Sequence, residues 1–397
     1  MDLLPVAQAR QRILAKVKAT ATENVKLAEA CGRVLAAALK ARRDQPPFAA
    51  SAMDGYAVRS GDSALELKVI GVSAAGHALK ARIKPGEAAR IFTGAPIPLG
   101  ADAVVIQENT QTSGKTVKLL EPVRPGQNIR GRGLDFRKND ILLPANIRLS
   151  PRDIGLAAAA NAPMLRVRRK PLVVLFATGD ELVEPGGRPR ADQIVSSNSS
   201  GLAAMARHLG AEVINLGIVR DSLNATMRAI TRASDADILV TTGGASVGDH
   251  DFVQEALTRS GVKLEFWRIA MRPGKPFMYG RKGRQHVMGL PGNPVSALVC
   301  ARLFLQPLID AMLGLATDEP LVEARLGAAL KANDGRQDYV RATLKIAADG
   351  TRTALPFAKQ DSSMQRTFRD AHCLIIRPIF APEAAVGAVV PILPLDF

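Results

Sequence analysis

The chain has 397 residues, of which 47% are hydrophobic and only 4% aromatic. This length exceeds one ordinary core, so we expect two to four domains packed mainly by aliphatic side chains. The three scattered cysteines provide neither a disulfide framework nor a metal-ligand spacing. The N-terminal residues lack a secretory pattern, and no uninterrupted apolar run approaches the roughly 20 residues that span a bilayer. These features predict a soluble, cytoplasmic protein.

The formal net charge of +16 has two interpretations. One is nucleic-acid binding, since a basic surface attracts phosphates. However, the lysines and arginines are spread along the chain, without the interleaved aromatic residues that stack on bases. The simpler interpretation is a solvated basic surface, whose positive field would also attract small anionic substrates. The charge alone does not decide the function.

Five segments, which form four predicted domains, follow one another along the chain. Residues 1–44 look helical, whereas residues 45–136 carry short strands punctuated by Gly and Pro, which predicts an inserted β-rich domain. Residues 137–170 add a strand and a helix that begins at Ser150 and Pro151. We expect them to form one elongated N-terminal domain with residues 1–44. Short alternating strands return in residues 317–397, which predicts a small C-terminal β-barrel, with a sandwich as the alternative.

The strongest architectural signal lies in residues 171–316. Short strands rich in β-branched residues alternate with helical periods there, which indicates a mostly parallel sheet with helices on both faces. We therefore predict a three-layer α/β central domain. In such sheets ligands bind beyond the carboxyl ends of the strands, so the loops after the strands form the candidate site.

Acidic residues follow three successive strands at this edge. Asp180 and Glu181 come after the first strand, Asp221 after the second, and Asp249 and Asp251 after the third. Mg²⁺ usually binds through one or two carboxylates together with phosphate oxygens. Any one of these acids could instead cap a helix, but their recurrence on consecutive loops favours a functional cluster.

The third loop is also rich in glycine, at positions 243, 244 and 248. Glycine lets the backbone approach a phosphate closely, and the N–H groups leading into a helix bind anions. This is not a Walker motif, because the chain has no Gly-Lys-Ser/Thr ending. The sequence therefore predicts a phosphate site beside the acidic residues.

The fourth and fifth loops carry different chemistry. Arg272 and Lys275 flank a Pro-Gly turn that suits an oxyanion. Asn293 and Pro294 predict a helix start, with Asn293 as its cap. Together the loops indicate phosphoanhydride chemistry, in which the protein positions groups and stabilises charge.

Seven segments of the chain occur in a characteristic order: PPFAASAMDGYAV, RIFTGAP, GQNIRGRG, ATGDEL, TTGGASVGDHD, MRPGKP and GLPGNPVSA. In this order, over nearly the whole chain, they resemble the MoeA family of molybdopterin molybdenumtransferases, to which the gephyrin E-domain also belongs. The resemblance implies four domains and a homodimer in which the β-rich domain of one subunit faces the α/β domain of the other. It also implies insertion of molybdate into adenylylated molybdopterin, with Mg²⁺-dependent release of AMP.

The resemblance further implies a role for each candidate residue. The pterin phosphate or nucleotide would be held by Gly243, Gly244 and Ser246. Mg²⁺ binding and anhydride cleavage would fall to Glu181, Asp221, Asp249 and Asp251. The molybdate pocket would comprise Arg272, Lys275, Ser296, Arg341 and Ser362. Asp54 and Thr93, which by themselves suggest only turns, would complete the site from the partner subunit. Arg272 stands where some family members have Lys, and its planar guanidinium binds an oxyanion in a different geometry.

Three other functions stay open. A molybdopterin adenylyltransferase has a loop of the TTGGASVGD type, but on a single α/β domain without the MDGYAV and RPGKP segments. A catalytically silent scaffold of the same fold is compatible with the gephyrin resemblance, although the acids and bases are intact. The third is the nucleic-acid binder. The predicted partners are an adenylyltransferase and a recipient molybdoenzyme, and neither nucleic acid nor membrane.

Overall fold

The computed structural model describes residues 3–62, 66–243 and 252–395. The chain forms two compact units: one is Asn24–Val167, and the other combines Met1–Glu23 with Arg168–Phe397. The four domain boundaries given above stay predictions.

A six-stranded mixed sheet dominates the unit Asn24–Val167. In spatial order its strands are Ala103–Ile106, Gly55–Val58, Glu87–Ile91, Glu66–Ser73, Thr116–Leu119 and Thr110–Ser113. Neighbouring residues alternate between two apolar cores: Val58 and Val105 pack in one, Ala57 and Val104 in the other. This alternation follows from the two-residue period of a strand. The structure confirms that residues 45–136 carry short strands, as predicted.

The chain segments that precede and follow this sheet in the sequence pair with each other. Leu39–Lys40 is antiparallel to Ile141–Leu143, and Gln45 forms a bridge with Phe136. The helix Pro151–Ala159 begins as predicted, because Ser150 and Asp153 form a reciprocal capping box. The remaining short elements are Thr22–Lys26 with Met164–Arg168, Ala50–Ser51 with Ile129–Arg130, and the 3₁₀ turns Leu27–Glu29, Ser60–Asp62 and Gln107–Asn109.

The prediction that residues 1–44 are helical is wrong beyond the first segment. Among the described residues of this region, the α-helix is limited to Val6–Leu14. The following residues form short strands, turns and a 3₁₀ turn. Val34 and Leu35 are buried, and Leu35 packs in a core that includes Leu149 and Val167. Alanine-rich composition favours a helix only weakly, and burial of these β-branched and leucine side chains overrides it.

The central sheet of the larger unit has six strands, numbered here along the chain: β1 (Leu172–Thr178), β2 (Glu212–Val219), β3 (Ile238–Thr242), β4 (Lys263–Trp267), β5 (Met278–Lys282) and β6 (Gln285–Leu290). Their spatial order is β2-β1-β3-β6-β5-β4. Only β5 runs against the others, because it joins β6 through a tight hairpin at Gly283. The mostly parallel sheet is confirmed, and β5 adds an antiparallel strand that was not predicted.

Helices cover both faces of this sheet: α1 (Asn198–His208), α2 (Leu223–Arg232), α3 (Phe252–Arg259) and α4 (Pro294–Leu313). Phe176 of β1 packs in one core with Ile230 of α2 and Leu257 of α3. Helices α1 and α4 pack together and against β1 and β6, respectively. The predicted three-layer arrangement is therefore confirmed.

Helix α4 is long and apolar enough to cross a membrane by length and composition. It is continuous through a π-helical segment, Ala301–Leu305, and carries Arg302 and Asp310. However, 78% of its most apolar window is buried inside the protein. The N-terminal helix Val6–Leu14 packs against it, so α4 has the surroundings of a core helix.

Five strands form a closed barrel in the last region: Val322–Leu326, Gln337–Ile346, Arg352–Pro356, Cys373–Arg377 and Val389–Pro394. Gln337–Ile346 pairs with both Arg352–Pro356 and Cys373–Arg377, and this double pairing closes the barrel. The predicted C-terminal barrel is confirmed. A short strand of the central domain, Met271–Arg272, pairs with the start of Gln337–Ile346.

Candidate active site

A cavity of about 640 Å³ opens at the carboxyl edge of the central sheet. Its walls come from the loops after β1, β2, β3 and β6 and from the start of α1. The barrel contributes Ser363 and Gln365, and the side chain of Gln365 hydrogen-bonds to Ser197. Of the predicted site residues, the structure brings Glu181, Asp221, Gly243 and Ser296 together in this cavity.

One wall of the cavity is acidic. Asp221 and Glu181 line it, and the backbone N–H of Asp221 donates to Asp180 Oδ1 at 3.3 Å. Partial burial raises the pKa of Asp221, and repulsion from Asp180 and Glu181 raises it further. The carboxylates of Asp180 and Glu181 are therefore close enough to repel that of Asp221, and a bound cation would reduce this repulsion.

Unsatisfied hydroxyl groups occupy another part of the wall. Thr178 Oγ1 and Ser196 Oγ are buried there without a hydrogen-bond partner. Beside them, Asn198 donates to Thr242 Oγ1 at 3.0 Å and to the Gly292 carbonyl at 2.6 Å. Buried polar atoms normally have partners, so the free hydroxyls suit polar groups of a ligand.

These residues are not among those predicted from the sequence. The signal that could have found them is the polar run Ser-Ser-Asn-Ser-Ser at 196–200, which lies at the start of α1.

Gly243 lies at the end of β3 with a φ of +87°. A Cβ atom at this position would lie 2.3 Å from the Thr178 carbonyl oxygen, so the neighbouring strand also excludes a side chain. Only glycine satisfies both conditions. The other predicted residues of this loop, Gly244, Ser246, Asp249 and Asp251, lie outside the described residues.

The loop between β6 and α4 contacts the barrel. Asn293 occupies the N-cap position of α4 as predicted, but its side chain makes no capping hydrogen bond and instead donates to Ser362 Oγ at 2.8 Å. The Val295 N–H also donates to the Ser362 carbonyl, at 3.0 Å. Ser362 therefore holds the barrel loop against the start of α4. The buried Ser296 lies in the first turn of this helix.

The predicted basic residues are not gathered in the cavity. Arg272 donates to Asp338 and, at 3.3 Å and 3.1 Å, to Asp334 and Asn333. Hydrogen bonding to Asp338 raises the pKa of Arg272, so the guanidinium is charge-balanced within the protein. Lys275 is exposed, and its neighbour Pro276 lines the cavity instead.

Arg341 is fully buried in the barrel. Its Nε donates to Gln360 Oε1 at 3.0 Å, whereas its Nη1 is buried without a partner. Burial lowers the pKa of Arg341. An unpaired, buried guanidinium nitrogen is costly, so this position suits an anionic or carbonyl acceptor.

Family models match three segments of the chain. Residues 4–161 match the MoeA N-terminal region (domain I and II), residues 174–311 a probable molybdopterin binding domain, and residues 323–395 the MoeA C-terminal region (domain IV). A molybdopterin molybdenumtransferase of Haemophilus influenzae is 36% identical over 401 residues, covering 99% of this chain and 99% of that protein.

The chain belongs to the MoeA family of molybdopterin molybdenumtransferases. A molybdopterin molybdenumtransferase of Nostoc is 39% identical over 338 residues, which cover 82% of this chain and 78% of that protein. The crystal structure of the molybdopterin biosynthesis MoeA protein from Pyrococcus horikoshii matches with a TM-score of 0.87 and 29% identity, covering 99% of both chains. The predicted family is thereby confirmed.

Two further residues predicted from the MoeA resemblance, Asp54 and Thr93, belong to the unit Asn24–Val167. Asp54 Oδ1 accepts hydrogen bonds from both the backbone N–H and the Oγ1 of Thr93, each at 2.7 Å. These two bonds lower the pKa of Asp54, and the charge of Arg90 contributes. Arg90 in turn lies over the rings of Tyr56 and Phe92. These hydrogen bonds favour the anionic form of Asp54 in this turn of the β-rich sheet.

A Mg²⁺ site is implied by the MoeA family and by the acidic wall. Within residues 3–62, 66–243 and 252–395, no three His, Cys, Asp or Glu side chains are arranged closely enough to hold a metal by themselves. Oxygen donors from Glu181 and Asp221 nevertheless fit a cation that also binds phosphate oxygens.

Proposed function

We propose that this chain inserts molybdate into adenylylated molybdopterin and releases AMP, as a molybdopterin molybdenumtransferase. The observation that carries the proposal is the 640 Å³ cavity at the carboxyl edge of the sheet, with its acidic wall and free hydroxyls, in a chain of this family. Ligand cavities of small molecules measure about 300–1,000 Å³, so one nucleotide-linked pterin fits this size.

The acidic wall supports a Mg²⁺ site formed by Glu181 and Asp221, with Asp249 and Asp251 as further ligands from the loop after β3. When bound, Mg²⁺ would neutralise phosphate charge during anhydride cleavage. The mutual repulsion of Asp221, Asp180 and Glu181 favours occupancy of the site by a cation. Gly243 supports the phosphate subsite, with Gly244 and Ser246, because its backbone lies bare at the cavity wall.

Molybdate is proposed to bind beside Ser296, with Arg272, Lys275, Arg341 and Ser362 as its further ligands. The contact between Ser362 and Asn293 supports this placement, since it brings the barrel loop to the start of α4. Arg272 is already paired with Asp338, so binding of the oxyanion by Arg272 requires this carboxylate to be displaced or shared.

The test is AMP release from adenylylated molybdopterin by the purified chain. We expect release to require both molybdate and Mg²⁺, and Glu181→Gln to lower its rate at least about ten-fold, as for loss of one charge-stabilising group. Asp235→Asn, an exposed carboxylate outside the cavity, is the matched control and should retain the activity.

Two outcomes would contradict the proposal. Accumulation of adenylylated molybdopterin from molybdopterin and ATP, without molybdate, would indicate an adenylyltransferase. Failure to release AMP under any of these conditions, by a folded protein, would indicate a silent scaffold.

A homodimer that shares its sites is part of the proposal. Asp54 and Thr93 lie beside exposed apolar side chains, Met53 and Phe92, as expected for a surface that meets another subunit. If Asp54 completes the partner's site, mixing inactive Asp54→Ala and Asp221→Asn subunits should restore about a quarter of the activity, because half of the randomly formed dimers carry one intact site. If the mixed variants stay inactive although mass spectrometry shows that their subunits have exchanged, the shared site is excluded.

A further inference from the structure

A second cavity, of about 380 Å³, lies at the opposite edge of the central sheet. Its residues come from the loop 15–21 and from the amino edge of the sheet: Arg169 precedes β1, Asp237 precedes β3, and His286 begins β6. Strands of five to seven residues separate it from the candidate active site, which is roughly 15–20 Å. The two cavities are therefore distinct.

The lining is strongly basic. Five cationic side chains face this cavity: Lys16, Lys18, Arg169, Arg281 and Arg284. The single carboxylate among the lining residues, Asp237, is fully engaged by Arg169, through hydrogen bonds of 2.8 and 2.9 Å, and by the Leu172 N–H at 2.7 Å. Asp237 therefore balances Arg169 and leaves four cations without a carboxylate in the cavity.

The surroundings do not cancel this charge. A depression of about 280 Å³ that shares Lys16 and Arg281 adds Lys263 and Glu265, which offset each other. Glu23 and Glu212 act on Arg169, the cation that is already paired. In the part of the chain that the structure describes, no salt bridge engages Lys16, Lys18, Arg281 or Arg284.

Arg281 carries a buried hydrogen-bond donor that has no acceptor within the protein. Its Nε is buried without a hydrogen-bond acceptor, although an Nη donates to the Gly283 carbonyl at 3.2 Å. The neighbouring His286 is hydrogen-bonded to the Tyr279 hydroxyl at 2.8 Å, and burial, together with Arg281, lowers the pKa of this histidine to about 4. The imidazole is therefore neutral at neutral pH and adds no charge of its own.

We propose that this cavity binds a small polyanion of the phosphoanhydride class, represented by inorganic pyrophosphate. Four cations exceed what one monoanion balances, and arginine binds phosphate oxygens through a planar fork. The volume lies at the lower end of the range for small-molecule sites. Ala19, Ala21 and Met312 add apolar surface to the lining.

The experiment is calorimetric titration of the full chain with inorganic pyrophosphate, without Mg²⁺, at about 0.15 M salt. We expect saturable binding at one site per chain. Lys18→Gln combined with Arg284→Gln should weaken it at least about ten-fold, since each lost charged hydrogen bond is worth more than a factor of ten. Both side chains are exposed, so the variant should keep the melting temperature of the parent.

The matched control is Lys345→Gln combined with Arg352→Gln, which removes the same charge from exposed positions in the barrel. Its affinity should stay within about two-fold of the parent, because screened charges at a distance contribute little. Absence of saturable binding, or equal weakening in both double variants, would overturn the proposal. Inorganic phosphate binding as tightly as pyrophosphate would also overturn it, because the site would then not select a polyanion.

Discussion

Gly243 lies where β3 leaves the central sheet and enters the cavity wall. Its positive φ is a requirement of the turn, whereas the 2.3 Å approach to the Thr178 carbonyl is a requirement of the neighbouring strand. These two costs can be separated, because Gly350 has a similar φ of +83° in a hairpin where a Cβ would meet nothing within 4 Å.

Gly350→Ala should therefore report the conformational cost alone, about 1–2 kcal/mol. Gly243→Ala adds a backbone clash, so we expect a larger loss of stability and a melting temperature several degrees below that of Gly350→Ala. Thermal unfolding of the two variants, side by side, measures the difference. Equal melting temperatures would show that β1 shifts freely away from Gly243.

Asp221 is held at an energetic disadvantage by its surroundings. Its raised pKa means that the folded chain binds this proton more tightly than the unfolded chain does. The contribution to stability is therefore fully present below the ordinary aspartate pKa and is lost as the pH rises through the folded pKa. Functional sites commonly carry such a penalty.

We expect Asp221→Asn to match or exceed the parent's melting temperature at about pH 7 in the absence of Mg²⁺, and to lose this advantage near pH 4. Mg²⁺ should raise the melting temperature of the parent more than that of the variant, since the repulsion it relieves is gone. Melting curves at several pH values, with Asp235→Asn as control, provide the test. A variant destabilised at neutral pH would show that Asp221 is held by favourable contacts instead.

At the scale of elements, two helices begin with a polar residue followed by proline, but only one of them has a side-chain cap. Ser150 and Pro151 produce the predicted capping box. Asn293 and Pro294 do not, because the Asn293 amide is used to hold Ser362 of the barrel. A polar residue before a proline therefore predicts a helix start, but a long-range contact decides where its side chain goes.

Ser150→Ala should destabilise the helix Pro151–Ala159 by about 1 kcal/mol, the usual cost of an N-cap. Hydrogen exchange at the amides of this helix should accelerate roughly five-fold, since that free energy is about 1.7 RT. Ser113→Ala, at an exposed position in a strand of the same unit, should leave the exchange unchanged. Unchanged exchange in Ser150→Ala would show that core packing alone fixes this helix start.

At the scale of the whole molecule, the charge of +16 acts over a distance of only about 10 Å at moderate ionic strength. It should raise the rate of encounter with anionic substrates without changing the chemical step. We expect kcat/KM for adenylylated molybdopterin to fall several-fold between about 0.05 and 0.3 M salt, while kcat stays nearly constant.

Steady-state AMP release measured across this salt range tests the expectation. The same field should not support nucleic-acid binding at physiological salt, and fluorescence anisotropy with labelled duplex and single strands checks this. Tight binding of DNA at that salt would revive the nucleic-acid interpretation of the charge.

Much of the fold could be predicted from the sequence because its signals are local. Runs such as Leu172–Thr178 and Ile238–Thr242 are apolar, short and bounded by turn residues, which is the local pattern of a buried strand. Segments with weaker local signals were missed. Met278–Lys282 is interrupted by Gly280, and only pairing with β4 and β6 makes it a strand.

The sequence by itself determined the α/β layers and the acidic edge of the central domain, since strand period and loop chemistry are properties of neighbouring residues. For the last region it left a barrel and a sandwich open, and the double pairing of Gln337–Ile346 decided for the barrel. Tertiary structure alone decided which side chains meet. It joined Glu181, Asp221 and Ser296 in one cavity, paired Arg272 with Asp338, and assembled four unbalanced cations at the other edge of the sheet. The reason is physical: charge balance and burial depend on residues distant in the chain, and a local pattern does not record them.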